Sequence, residues 1–202
     1  VIDSEGVDLT GRLKLTASGL PYQAAMTLRV GLGSGDEVLL PIPGGQTFVR
    51  SADLKLRYDQ AKGSGWTLDG TMSALRQPAM SIAALALRGS GRIETGGGAL
   101  PAGLIGGTVR FDAQGIEASD AALGQAIGPD ISGKAIFQWQ PGGDLRLSAL
   151  DVTGQGYGAS GSLAIGGLEG GLEVTPRLTA TVADLGRFEG LAGRAIGGSG
   201  EL

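Results

Sequence analysis

The side chains that could do chemistry in this 202-residue chain are few, and their spacing does not favour catalysis. Histidine and cysteine are both absent. The imidazole used by most general-base, triad and transition-metal sites is therefore missing, as are thiolate nucleophiles, thiolate zinc sites and disulfides. The carboxylates Asp53, Asp59 and Asp69 alternate with apolar neighbours. They read as a solvated polar row rather than the opposed acid and base of a glycosidase. The run Gly96-Gly97-Gly98 lies outside any strand–loop–helix context and no phosphate-binding lysine follows it, so it reads as a loop. Aspartates do not recur within Gly-rich nonapeptides as calcium-binding repeats would need. Trp66 and Trp139 suit ligand contact and core packing equally. No catalytic residue, cofactor or metal site is expected.

What remains is the scaffold. The chain holds 39 glycines and 8 prolines, yet 42% of its residues are hydrophobic and its mean hydropathy is +0.13. Disordered chains are polar and highly charged, so this one is expected to fold. Twenty acidic residues against 16 basic ones give a net charge of −4, and only 4% of residues are aromatic. Both figures count against a nucleic-acid partner, which needs a basic face or stacking platforms. No apolar run reaches the roughly 18 residues that a membrane-spanning helix requires. The first residue is Val1 and Leu202 falls in what reads as mid-strand, so the chain reads as a fragment of a longer protein.

Period-two alternation dominates, as expected for strands with one dry and one wet face. Leu13 and Leu15 alternate with Arg12 and Lys14. Tyr22, Met26, Leu28 and Val30 share a face opposite Gln23, Thr27 and Arg29. Leu54 and Leu56 alternate with Asp53, Lys55 and Arg57, and Trp66 and Leu68 with Thr67 and Asp69. Further rows hold Leu85 and Leu87, then Val109 and Phe111, then Phe137 and Trp139. Leu145 and Leu147, Leu163 and Ile165, and Leu178 and Val182 complete the set. Gly-rich connections such as Pro43-Gly44-Gly45 and Pro141-Gly142-Gly143-Asp144 favour hairpins, hence an antiparallel meander. The segment 79–87 suits a helix or a strand and is taken as strand. Two short helices interrupt the pattern, Ala121–Ile127 capped by Asp120 and Leu185–Ala192 capped by Asp184. Strand restarts are expected at Ile131 and Ile196, so the unit reads as a weak internal repeat, with possible sub-units 1–115 and 116–202.

A two-layer sandwich also yields alternating strands. Three features favour a single sheet curled into an open apolar trough. The dry positions are mostly mid-sized aliphatics, glycines recur inside strands where they permit coiling, and the same unit restarts along the chain. The fold expected is all-β, an elongated antiparallel trough with one or two short helices. A membrane barrel would place aromatic girdles at both interfaces, and the 2 Trp, 3 Tyr and 4 Phe show no such spacing. The residues expected to line the trough are the dry-face members Leu13, Leu15, Met26, Leu28, Val30, Leu54, Leu56, Leu68, Leu85, Leu87, Val109, Phe111, Phe137, Trp139, Leu145, Leu147, Leu163, Ile165, Leu178 and Val182.

The stretches LRLSALDVTGQGYGASGSL (145–163) and LTATVADLGRFEGLAGRAIGGSG (178–200) resemble the TamB/AsmA-like family of Gram-negative bacteria. Asp184, Leu185, Leu191, Gly193, Arg194 and Gly198 stand at the positions of that family's recurring unit, while the first half of the chain resembles it in texture alone. The resemblance implies a periplasmic protein anchored in the inner membrane, with a lengthwise apolar trough and a TamA-like outer-membrane partner. It implies a non-enzymatic conduit for phospholipid acyl chains or for hydrophobic segments of outer-membrane proteins. Two other readings stay open: a surface that augments nascent outer-membrane strands, and a Gly-rich solenoid of an adhesin or autotransporter passenger.

Overall fold

A computed structural model describes residues 2–4, 7–15, 21–31, 37–40, 46–94, 103–140, 142–166 and 173–201. Gly96-Gly97-Gly98, Pro43-Gly44-Gly45 and Pro141 lie outside these. The strands are β1 Ile2–Ser4, β2 Val7–Leu15, β3 Pro21–Val30, β4 Val38–Leu40, β5 Thr47–Val49, β6 Ser51–Asp59 and β7 Gly65–Gln77. They continue as β8 Met80–Ile93, β9 Ile105–Ala118, β10 Ile131–Trp139, β11 Leu145–Gly154, β12 Tyr157–Gly166, β13 Glu173–Val182 and β14 Gly200–Glu201. Helix α1 is Ala121–Ile127; a 3-10 turn at Leu185–Phe188 runs into α2, Glu189–Ala192. The ambiguous segment 79–87 is strand from Met80 onward, with Ala79 in the preceding turn.

All fourteen strands form one antiparallel sheet, ordered β1-β2-β3-β6-β7-β8-β9-β10-β11-β12-β13-β14, with β4 and β5 off the main path. Its two edges do not pair with one another, so it is an open sheet and not a barrel. The division at 115/116 falls inside β9.

The register carries every dry residue onto one side. One cross-strand row runs Met26, Leu56, Leu68, Gly89, Val109, Ala135, Leu150. The next runs Ala24, Tyr58, Trp66, Gly91, Gly107, Phe137, Leu147. Irregularities correct the phase where alternation fails. Between Leu147 and Leu150 the register slips, so Leu150 and Val152 inherit the dry face from Leu145 and Leu147. A slip at Lys14/Leu15 leaves Tyr22 without a partner on β2.

The sheet is strongly curled. In a flat sheet, β7 and β10 would lie about 14 Å apart and β2 and β10 about 29 Å apart. Yet the Trp66 and Phe137 rings, on β7 and β10, have centroids 5.8 Å apart, and Leu13 of β2 lines the same cavity as Phe137. The inner face of a curled sheet has less room than the outer one, and glycines supply the difference. The Trp66 ring lies across Gly89 and Gly107, and Phe111 lies on Gly133. The exposed surface totals 12151 Å², whereas a compact chain of this mass would show about 8,800 Å². A single uncovered layer exposes more surface than a compact chain of the same mass.

A methyl group at Gly107 would meet the Trp66 ring and come within 2.5 Å of the Ser90 carbonyl oxygen. Gly107→Ala is therefore expected to cost about 1–3 kcal/mol in urea unfolding. At Gly197 nothing lies within 4 Å, so Gly197→Ala should stay within about 0.5 kcal/mol of wild type. Equal effects at the two sites would contradict the ring-on-glycine packing.

Candidate functional site

The concave face holds two apolar clusters. The first has Ala24, Tyr58, Trp66 and Ile93 buried, with Leu56, Leu68, Ile105, Val109 and Phe137 packed against them. Beside it opens a cavity whose lining is wholly apolar, formed by Leu13, Pro21, Ala24, Met26, Leu56, Tyr58, Trp66, Ile93, Ile105 and Phe137. Leu13 borders that cavity while remaining 55% exposed, so the space communicates with solvent along β2. The Trp66 indole N–H donates to the Gly106 carbonyl at 3.1 Å, which fixes the ring flat across the intervening strand.

Two polar atoms lie buried behind this face, out of the cavity surface. The Tyr58 hydroxyl and the Trp139 indole Nε1 are buried with no hydrogen-bond partner among the described residues. Burial, with the charge of Asp59 second, pushes the Tyr58 hydroxyl above its ordinary pKa, so it stays neutral. No cation or carboxylate lines the cavity.

The second cluster buries Val30, Val49 and Ala52, with Leu28, Val38, Leu40 and Met72 against them. Here the paired strands β4 and β5 fold over the dry face. Thr47 is buried and its hydroxyl accepts from Gln77 Nε2 at 3.0 Å. Arg76 pairs with Glu37 and stacks 4.7 Å from the Phe48 ring centroid, tying the ribbon to β7.

Strand parity places these features on one edge. β6 begins where β3 ends. Four strands, β10 to β13, separate α1 from α2, so both helices emerge on that same edge. Asp120 accepts from Leu123 N and Asp184 from Gly186 N, the caps the sequence indicates. The helices join through β12: the Tyr157 hydroxyl donates to the Ile127 carbonyl at 3.0 Å. Arg187 lies 4.9 Å from the Tyr157 ring centroid and donates to the Gln125 carbonyl at 3.3 Å. Chain restart after α1 begins at Ile131 as expected. After α2 it begins at Gly200 and not at Ile196. Ile196 N instead donates to Glu189, and Gly198 takes φ +95° before the strand resumes. One edge of the sheet thus carries the β4–β5 ribbon and both helices, while the apolar cavity lies toward the other.

Of the residues expected to line the trough, Leu13, Met26, Leu56 and Phe137 border the cavity, and Leu68 and Val109 back it. Leu28 and Val30 lie under the β4–β5 ribbon. Leu54, Leu85, Leu87 and Phe111 occupy the middle rows, and Trp139, Leu145, Leu147, Leu163 and Ile165 continue them across β10–β12. Val182 is buried, whereas Leu178 is 47% exposed and Leu15 is 56% exposed. Sequence reasoning did not select Ala24, Tyr58, Ile93 and Ile105 as lining. Ile105 was findable, since it stands in phase with Val109 and Phe111 across Gly107. Against known proteins, no family model, no curated protein and no solved structure matches this chain.

Val49 is fully buried beneath the β4–β5 ribbon, and Leu39, on the ribbon's other face, is 51% exposed. Val49→Ala should lose about 1.5–3 kcal/mol and Leu39→Ala less than about 0.5 kcal/mol, both by urea titration. A Leu39 effect as large as that of Val49 would mean the ribbon does not fold onto the sheet as described.

Proposed function

We propose that this chain is a section of a non-enzymatic conduit that holds lipid acyl chains on the concave face of its sheet, in a periplasmic protein of the TamB/AsmA-like type. One observation carries the reading: a dry face continuous from β2 to β13 lies inside a curled sheet that leaves it open. A closed core would have covered that face with a second layer.

The energetics suit a chain-like ligand. Each methylene removed from water is worth about 0.8 kcal/mol, so an acyl chain laid in the trough gains on the order of 10 kcal/mol. The lining offers no charge to hold a headgroup, which stays in water at the open lip. The resemblance noted in 145–163 and 178–200 supports the same reading and supplies the expectation of inner-membrane anchoring and a TamA-like partner.

A second reading rests on the β13 edge. β14 pairs with it at Thr181 and Val182 alone, and Val174 and Leu178 are 54% and 47% exposed. That edge suits addition of a strand from an outer-membrane protein client.

Native mass spectrometry of the purified chain should find co-purified phospholipid. A photo-crosslinking residue at Leu56 should capture lipid, and one at Lys55, on the opposite face, should not. Capture from both faces alike would sink the conduit reading. Leu13→Arg provides a functional test, because a half-exposed position lets the guanidinium reach solvent without unfolding the sheet. Its melting temperature should stay near wild type while binding of a fluorescent fatty acid weakens about tenfold or more. Full binding by a folded Leu13→Arg protein would exclude this cavity as the entry.

A further inference from the structure

The convex face carries an arrangement that the trough does not explain. Arg88 of β8 stands directly opposite Arg110 of β9, and Arg110 directly opposite Lys134 of β10. Adjacent strands lie about 4.8 Å apart, so three cations sit side by side within roughly 10 Å. Like charges in register across strands destabilise a sheet. Among the described residues none of the three forms an ion pair; the salt bridges are Lys55–Asp53, Lys62–Asp59 and Arg76–Glu37. Asp69 follows Arg88 in the row on one side and Asp151 follows Lys134 on the other, so the carboxylates bracket the run and leave Arg110 between two cations.

The three cations border one shallow depression, together with the hydroxyl residues Ser132 and Thr153 and the carboxylates Asp112 and Asp151. Asp112 already accepts from Gln114 Nε2 at 2.9 Å. Arg88 and Arg110 are exposed, and Lys134 is half-buried. Ala86 and the backbone of Gly133 also border it.

We propose that this row is a binding site for a phosphate-type anion centred on Arg110. A guanidinium presents paired N–H donors that match phosphate oxygens, and its neighbours supply two further cations at the same level. A divalent anion placed there converts a repulsive row into an attractive one. The sheet separates this face from the trough, so the anion is not the headgroup of a chain lying in the concave cavity. Its source is a free phosphate compound or the headgroup of a bilayer against which the convex face rests.

The test uses the whole chain, wild type and Arg110→Gln, in thermal melts at matched ionic strength with chloride, inorganic phosphate or pyrophosphate. Both proteins are also sedimented with vesicles of phosphatidylglycerol or of phosphatidylcholine. In chloride, Arg110→Gln should melt at or above the wild-type temperature, because it removes repulsion. Pyrophosphate should raise the wild-type melting temperature and bind Arg110→Gln at least tenfold more weakly. Pyrophosphate binding without vesicle binding identifies a soluble phosphate ligand. Arg110-dependent sedimentation with phosphatidylglycerol and not with phosphatidylcholine identifies a headgroup. The proposal is overturned by equal responses of the two proteins to both anions and vesicles, or by a lower melting temperature of Arg110→Gln in chloride.

Discussion

A large side chain lying over a cross-strand glycine is the contact on which the rest of this structure depends. Trp66 over Gly89 and Gly107, Phe111 over Gly133, Tyr157 over Gly154 and Leu54 over Gly70 are versions of it. Each lets an aromatic or branched side chain lie along the sheet where two ordinary neighbours would collide. The inner face therefore needs less room than the outer, and the sheet bends toward it. Without that bend Trp66 and Phe137 would stand about three strand spacings apart, and no cavity would form between β2 and β10.

Stability in such a layer is local. Contacts run almost wholly between sequence-adjacent strands, and few side chains are fully enclosed. Free energy then accumulates strand by strand, as in repeat proteins, rather than from one central core. The inward folds along one lip add what a second layer would otherwise supply. The β4–β5 ribbon encloses Val49 and Thr47, and the two capped helices are joined through Tyr157 and Arg187. The ribbon and both helices lie on the same edge of the sheet.

The two faces divide the chemistry. Dispersion and the hydrophobic effect act on the concave side, where the lining is uncharged and favours chain-like ligands with little headgroup selectivity. Electrostatics act on the convex side, where charges meet in rows set by register, including the Arg88, Arg110 and Lys134 run. A net charge of −4 conceals that run entirely, since composition counts charges and register decides which ones adjoin.

Most of the long strands, their alternating faces and the two helix caps were legible in the sequence because they depend on periods of two and on local hydrogen bonds, whereas the short strands β1, β4 and β5 were not. Leu56 and Lys55 face opposite ways for a reason internal to their own strand, and Asp120 caps its helix by accepting from the amide three residues on. The open, curled form of the sheet was inferred from recurring glycines, but the partners of those glycines lie on other strands. That Gly107 receives Trp66, forty-one positions earlier, depends on the register of two intervening pairings. The same holds for Leu28, which alternation alone assigns to an open dry face and which the β4–β5 ribbon covers. It holds again for Leu150, whose phase the slip after Leu147 reverses. The sequence by itself determined the alternating faces and the caps, since those are settled by neighbours in the chain. Tertiary structure alone decided the curvature, the cavity at Trp66 and the cation row, since each requires side chains from strands that only register brings together.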